Sequence, residues 1–147
     1  MFLNFLFGLT LTIIGDSQGG IMAPYLRKDY NVIDEHKDGA RVSGTCLKNL
    51  ILKDEVVIIF LGSNHYDDNG APNVDCILKM IKNSKKCIWV GPPSIRGKKW
   101  NYENDFKNQI VNNCLYVSSQ DIIDLPDGIH FGKSGIVQIL NRIKSKL

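Results

Sequence analysis

Short apolar runs alternate with amphipathic stretches along the whole chain, and this alternation limits the fold more than any other feature of the sequence. The runs cover residues 9–15, 30–34, 55–62, 86–91 and 114–118, and most are rich in β-branched side chains. Runs of this kind are typical of strands that are buried on both faces of a parallel sheet. The sequence therefore predicts five parallel strands.

The stretches between these runs have helical spacing. Behind Asn73, a favoured N-cap residue, apolar residues recur three or four positions apart, and the same spacing returns near the end of the chain. The two sets are Val74, Ile77, Leu78 and Ile81, and Ile136, Ile139, Leu140 and Ile143. Weaker helices are predicted at 20–28, 45–52 and 103–113. This order predicts a three-layer α/β/α fold with a flavodoxin-like, doubly wound sheet.

The length and composition of the chain favour a single domain. It has 147 residues, 44% of them hydrophobic, and a net charge of +3, which excludes a disordered or collagen-like protein. One domain spanning residues 1–147 is expected. Ligands of a doubly wound sheet bind where its strands end. We therefore expect an active site in the loops at 16–19, 35–44, 63–72, 92–102 and 119–130.

The basic residues do not indicate a nucleic-acid partner. Of the 18 basic residues, 14 are Lys and only 4 are Arg, and the Arg residues are not clustered. Proteins that bind nucleic acids use clustered Arg for bidentate contacts with phosphate and guanine. No nucleic acid is therefore expected among the partners.

The four cysteines are predicted to be buried free thiols. Cys46, Cys76, Cys87 and Cys114 are separated by 30, 11 and 27 positions, which fits neither a metal knuckle nor a dense disulfide framework. Three lie within apolar runs, where Cys is usually a small core residue. Free thiols would suit the cytoplasm or another reducing compartment, and export is the alternative.

Residues 1–14 are apolar but do not have the features of a membrane span. They lack a Lys/Arg-rich start and fall short of the roughly 18 consecutive apolar residues that indicate a membrane-spanning helix. We expect the first strand here, with residues 1–8 forming part of it or preceding it. The alternative is a degenerate export signal or a hydrophobic start of the kind found in lysis proteins.

A candidate nucleophile follows the first predicted strand. The sequence Gly-Asp-Ser-Gln-Gly-Gly at residues 15–20 predicts a tight strand-to-helix turn that holds the Ser17 hydroxyl at the start of a helix. The N–H groups of a helix N-terminus stabilise a developing negative charge. The alternative is an ordinary Ser/Asp cap in a Gly-rich turn.

A candidate base lies before the last predicted helix. Asp127-Gly128-Ile129-His130 pairs a carboxylate with an imidazole three positions later. A serine hydroxyl attacks only when an imidazole takes its proton, and that imidazole needs a carboxylate to fix its tautomer. The alternative is that His130 caps the last helix and Asp127 forms a turn.

Two other loops hold candidate donors to an oxyanion. Gly44 ends the loop after the second strand, and Asn64 follows the most hydrophobic strand. An Asn64 amide and a Gly44 N–H at this edge could stabilise a developing negative charge, and the alternative is that each is an ordinary loop residue. Each such donor lowers the barrier by about 3 kcal/mol in known acyl-transfer sites.

Together and in this order, the four segments resemble the motifs of the SGNH hydrolases, also called GDSL esterases and lipases. Residues 15–17 are similar to the motif with the nucleophile, Gly44 to the second-motif glycine, residues 62–64 to the motif with the asparagine, and residues 127–130 to the acid–base motif. The motifs are short but span nearly the whole chain.

The resemblance implies a serine esterase that works without a metal or a cofactor. Ser17 would attack an ester carbonyl, His130 would take and return the proton, and Asp127 would orient His130. The Ser17 N–H, the Gly44 N–H and the Asn64 amide would hold the oxyanion.

Two positions depart from the family pattern. His65 stands where the family usually has Asp after the asparagine, and Phe131 stands where Pro commonly follows the base. Neither position is catalytic in the family, so the departures concern substrate fit. His65 is either a second titrating group that contacts substrate or, as we expect, a loop residue without a catalytic role.

The loop at 92–102 is the candidate substrate-binding loop. It combines Lys98 and Lys99 with Trp100, a set that can attract an anionic polymer and stack on sugar rings. The alternative is a solvated basic loop with Trp100 packed on the sheet. The first interpretation predicts an acylated or acidic glycan as substrate.

The short chain leaves little sequence for a lid, so removal of short acyl groups, above all acetyl, is favoured over long-chain lipase activity. Deacetylation of a carbohydrate or another small ester is the predicted function. One alternative is a lytic hydrolase of the bacterial cell envelope, for example a virus-encoded one. Another is a flavodoxin-like module that binds phosphate or flavin, although no P-loop Lys follows the glycines.

Overall fold

The structure contains a five-stranded parallel sheet. The computed structural model describes residues 8–48, 50, 52 and 56–147. The strands are β1 (Thr10–Gly15), β2 (Asn31–His36), β3 (Val56–Phe60), β4 (Lys86–Pro93) and β5 (Leu115–Ser119), in the order β2-β1-β3-β4-β5. The predicted parallel sheet and its flavodoxin-like order are confirmed. The apolar residues 1–7 and the predicted strand start at 55 lie outside the described residues.

Helices follow each strand within the described part of the chain. They are α1 (Ser17–Leu26), α2 (Val42–Cys46), α3 (Asp75–Met80), α4 (Glu103–Ile110) and α5 (Lys133–Lys144). α1 begins three residues before the predicted start, because the Asp16 carboxylate accepts a hydrogen bond from the Gln18 N–H and caps the helix there. α2 also begins three residues early and ends at Cys46, whereas a helix was predicted at 45–52. Positions 49 and 51 lie outside the described residues.

The sheet separates two apolar cores. Because side chains alternate along a strand, Ile13 and Ile58 pack on one face with α1 and α5, while Ile14 and Ile59 pack on the other face with α2, α3 and α4. The predicted apolar stripe of the last helix faces the first core, where Ile136, Ile139 and Ile143 are buried. The layers are therefore helix, sheet and helix. No helix among the described residues is long and apolar enough to cross a membrane.

The segment between β5 and α5 brings the chain from the edge of the sheet back to β1. β5 is an edge strand, whereas α5 packs beside α1 in the first core. Residues 120–132 therefore pass over the carboxyl ends of the strands. The chain reverses its winding between β1 and β3, which is where doubly wound sheets bind ligands. The loops after β1, β2 and β3 end at this edge, as does the crossing segment.

The cysteines form two disulfide bonds, so the prediction of free thiols is wrong. Cys46–Cys76 joins α2 to α3, and Cys87–Cys114 joins β4 to the residue before β5. The partners are 30 and 27 positions apart and meet only through helix packing and strand pairing, which their spacing does not indicate. Disulfides persist in oxidising compartments, so the argument for a reducing compartment no longer holds.

Removal of the Cys87–Cys114 bond should destabilise the fold. A loop of 27 residues corresponds to about 3–4 kcal/mol of unfolded-chain entropy. The Cys87→Ala/Cys114→Ala variant should therefore lose roughly 2–4 kcal/mol of unfolding free energy in a urea titration. Thiol titration of the denatured, unreduced wild type should detect no free thiol. Detection of four thiols would contradict both bonds.

Candidate active site

The turn after β1 places Ser17 at the centre of the sheet edge. Gly15 has a φ of +127°, and a Cβ at this position would lie 2.0 Å from the Phe60 carbonyl oxygen, so only glycine fits. The Asp16 N–H donates to the same oxygen at 2.8 Å. Ser17 is then the first residue of α1, whose first N–H groups have no acceptor within the helix.

Ser17, His130 and Asp127 form a continuous hydrogen-bonded chain. Ser17 Oγ lies 2.9 Å from His130 Nε2, and His130 Nδ1 lies 2.6 Å from Asp127 Oδ2. The other oxygen of Asp127 accepts from the N–H groups of Ile129 and His130 at 2.8 and 2.7 Å. The three side chains that the sequence indicated as nucleophile, base and acid are thus brought together across 113 positions.

The charge of Asp127 sets the tautomer of His130. Hydrogen bonds from the His130 side chain, and then from the His130 and Ile129 N–H groups, hold the pKa of the Asp127 carboxyl far below its usual value. An ionised carboxylate only accepts hydrogen bonds, so neutral His130 donates from Nδ1. The lone pair on Nε2 then faces the Ser17 hydroxyl, which is the arrangement required to accept its proton.

Gln18 holds the backbone on both sides of His130. Its buried side chain donates from Nε2 to the Ile129 carbonyl at 2.7 Å and accepts from the Phe131 N–H at 3.4 Å. Gln18 was not among the predicted site residues. The available indication was a polar side chain directly after the candidate nucleophile, in a turn expected to be closely packed.

Two further contacts fix the segment that carries Asp127 and His130. One is with the loop after β4, and the other is with the start of α5. The Arg96 N–H donates to the Gly128 carbonyl at 2.6 Å, and Arg96 has a left-handed φ of 51°. Asp124 accepts from the Ser134 N–H and hydroxyl and from the Gly135 N–H, so it caps α5. His130 is therefore not the cap of this helix.

The predicted oxyanion donors lie in two loops that contact each other. Gly44 belongs to α2, and Asn64 belongs to a short 3-10 turn, Ser63–His65. Asn64 Nδ2 donates to the Ala40 carbonyl at 3.0 Å, and its amide carries a second hydrogen. Apart from its chain neighbours and its own helix, no described residue comes within 4 Å of a Cβ placed at Gly44, which is exposed. Their role as donors remains a prediction.

Trp100 does not fit the expected role in binding sugar rings. It is 5% exposed, stacks on Tyr66 and packs edge-on against Phe106 in the second core. The alternative of a tryptophan packed on the sheet is the one observed. Lys98 and Lys99 are exposed, and Lys99 lines a cavity of about 360 Å³ together with Arg96, Ile123 and Gly128.

His65 lies in the 3-10 turn after β3. Its side chain is buried, and Nδ1 lies 2.8 Å from Asp68 Oδ2. Within the described residues, no group of three or more His, Cys, Asp or Glu side chains is arranged to hold a metal ion.

Comparison with known proteins does not assign a family. No protein-family model matches the chain, and no curated protein matches it. The resemblance to the SGNH hydrolases therefore rests on the four sequence motifs.

Asp16 is buried directly beside the candidate nucleophile. One carboxylate oxygen caps α1, and the other has no hydrogen-bond partner among the described residues. Burial raises the pKa of Asp16 to about 7, although the Gln18 N–H and the charge of His130 lower it. The folded protein thus keeps a proton that the unfolded chain, with a pKa of 3.8, releases.

The raised pKa of Asp16 should make the fold less stable as pH rises. The free energy that protonated Asp16 contributes to folding is fully present below about pH 4. It falls above that value and is lost once the pH passes about 7. Asp16→Asn keeps an N-cap but does not titrate. Its unfolding free energy relative to wild type should therefore increase by about 2–3 kcal/mol between about pH 5 and pH 8. Urea titrations at both pH values measure this, and a constant difference would contradict it.

Proposed function

We propose that the protein is a serine hydrolase that removes short acyl groups from esters through an acyl-enzyme intermediate. The observation that carries the proposal is the hydrogen-bonded chain from Ser17 Oγ through His130 to Asp127, with contacts of 2.9 and 2.6 Å. Ordinary capping does not require this chain, because Asp16 caps α1 and Asp124 caps α5.

The first half of the reaction forms the acyl-enzyme. Ser17 Oγ attacks the ester carbonyl carbon while His130 Nε2 takes the hydroxyl proton. The anionic Asp127 stabilises the imidazolium that forms. His130 then gives the proton to the leaving alkoxide as the carbon–oxygen bond of the ester breaks.

The second half restores the enzyme. A water molecule attacks the acyl carbon, His130 takes its proton, and the proton passes to Ser17 Oγ as the acyl bond breaks. The products are a carboxylic acid and the alcohol released earlier. No redox step occurs.

The carbonyl oxygen becomes an anion in each half of the reaction. The Ser17 N–H, the Gly44 N–H and the Asn64 amide are the proposed donors to it. Donors that are fixed in place before charge develops stabilise the transition state more than the ground state. Gly44 is exposed, so a substrate can approach its backbone.

The surroundings of the triad support a small or peripheral ester group as substrate. The side chains of His130 and Asp127 are 35% and 55% exposed, and no deep apolar tunnel is needed to reach them. An acetylated carbohydrate is the substrate class we favour. With Trp100 in the core, Lys98 and Lys99 are the residues of the proposed glycan-binding set that remain exposed. The two disulfides favour action outside the cytoplasm.

Activity on p-nitrophenyl esters should depend on Ser17 and fall with acyl length. We expect wild type to hydrolyse the acetate faster than the butyrate and the octanoate, because His130 and Asp127 are exposed and a long acyl chain would bury little apolar surface beside them. Ser17→Ala should reduce kcat/KM for the acetate by about a thousandfold or more.

Asp29→Asn is the matched control. It removes an ion pair with Lys144 at the amino end of the sheet, away from the site, and should leave kcat/KM unchanged. Hydrolysis by Ser17→Ala at the wild-type rate, or none by wild type, would refute the proposed function.

Asp127→Asn should slow the reaction without unfolding the protein. An Asn amide can donate to His130 Nδ1, which favours the tautomer with the proton on Nε2, where it cannot accept from Ser17. We expect kcat to fall by about 10²–10⁴-fold while the thermal midpoint changes little, because Asp127 is exposed. Steady-state kinetics with circular dichroism melting checks both. An unchanged kcat would exclude Asp127 as the acid of the triad.

A further inference from the structure

A histidine–carboxylate pair in the loop after β3 has no part in the proposed reaction. His65, Asp68 and Arg41 form this group, which we call the loop clamp. His65 is 4% exposed, so its ring is packed mainly against protein. What it contacts is the backbone of α2.

The hydrogen bonds of His65 define its tautomer. The Val42 N–H donates to His65 Nε2 at 3.2 Å, and Nδ1 lies 2.8 Å from Asp68 Oδ2. Since Nε2 accepts, the proton of the neutral ring is on Nδ1 and points to the carboxylate. Burial lowers the pKa of His65, with Asp68 raising it and Arg41 lowering it; these are the charged groups that face the ring. The ring is therefore kept neutral and able to accept.

The other contacts of the loop clamp join the same two loops. The Arg41 guanidinium donates to the Asn64 carbonyl and to Asp68 Oδ2. In the reverse direction, Asn64 Nδ2 donates to the Ala40 carbonyl at 3.0 Å. Residues 40–42 and 64–68 are thus linked by side chain-to-backbone bonds in both directions.

The position of α2 depends on its contacts with the rest of the protein. It has five residues, which is too short for a helix to be stable by itself. Its far end is attached to α3 by the Cys46–Cys76 bond. Its first turn, which carries the Gly44 N–H, is attached to the rest of the protein by the burial of Val42 in the second core and by the polar contacts of His65 and Arg41. The distance between Gly44 and Asn64 therefore depends on the loop clamp.

We propose that His65, with Asp68 and Arg41, is a positioning residue that sets the separation of the two oxyanion donors, Gly44 and Asn64. This inference rests on the proposed function. It assigns a role to the residue that departs most clearly from the motif pattern of the resembled family. A ring that bridges the two donor loops from the protein interior contributes to catalysis without touching substrate.

Two substitutions separate the two hydrogen bonds of His65. His65→Gln places an amide oxygen near the position of Nε2, so it can still accept from Val42. His65→Asn places its amide near Nδ1, so it keeps a contact with Asp68 but leaves the Val42 N–H unpaired.

We expect His65→Asn to lower kcat for p-nitrophenyl acetate by about tenfold or more, with KM within about twofold of wild type, because oxyanion donors act on the transition state. His65→Gln should retain most of the wild-type kcat. Titration with a fluorophosphonate gives the active fraction of each preparation, so kcat is expressed per competent site. A merely structural role would lower that fraction and leave kcat per site unchanged.

Asp68→Ala tests the loop clamp at a second residue, because Asp68 lies at the surface and its loss leaves the core intact. It should lower kcat several-fold at unchanged KM. Asp29→Asn again serves as the unaffected control. An active wild type with unchanged kcat per site in both His65→Asn and Asp68→Ala would overturn the positioning role and leave the proposed function standing. A wild type that neither reacts with the fluorophosphonate nor hydrolyses the acetate would overturn both.

Discussion

The site depends on the passage of residues 120–132 across the carboxyl ends of the strands. Parallel strands place the loops after β1, β2 and β3 at one edge, but β5 lies at the far side of the sheet. His130 reaches Ser17 only because the crossing segment returns to β1, where Gln18 and Arg96 hold its backbone from two sides. The 2.9 Å contact between Ser17 and His130 is therefore a consequence of how the whole chain is wound.

Much of the fold could be predicted from the sequence, because it follows from local patterns. Buried parallel strands require apolar residues on both faces, and the runs at 9–15 and 86–91 have them. The spacing of Ile136, Ile139 and Ile143 likewise predicts the buried face of α5. Ser17, Asp127 and His130 were indicated by short motifs because their chemistry requires particular residue types in a particular order.

The rest could not be predicted because it depends on pairs of distant residues. The spacing of Cys46 and Cys76 carries no information on whether α2 packs on α3. Trp100 lies in a basic loop, and only the positions of Tyr66 and Phe106 show that it belongs to the core. From the sequence, His65 was expected to be an ordinary loop residue. Its hydrogen-bond partner is the Val42 N–H, and a backbone group cannot be recognised from residue types.

The central claim is that Ser17 is a nucleophile activated by His130. It is tested most directly by treating wild type and His130→Ala with a fluorophosphonate and locating the adduct by peptide mass spectrometry. We expect one phosphonyl group per wild-type chain, attached to Ser17, and no adduct under the same conditions in His130→Ala. An unlabelled wild type, an adduct on another residue, or equal labelling of the two proteins would contradict it.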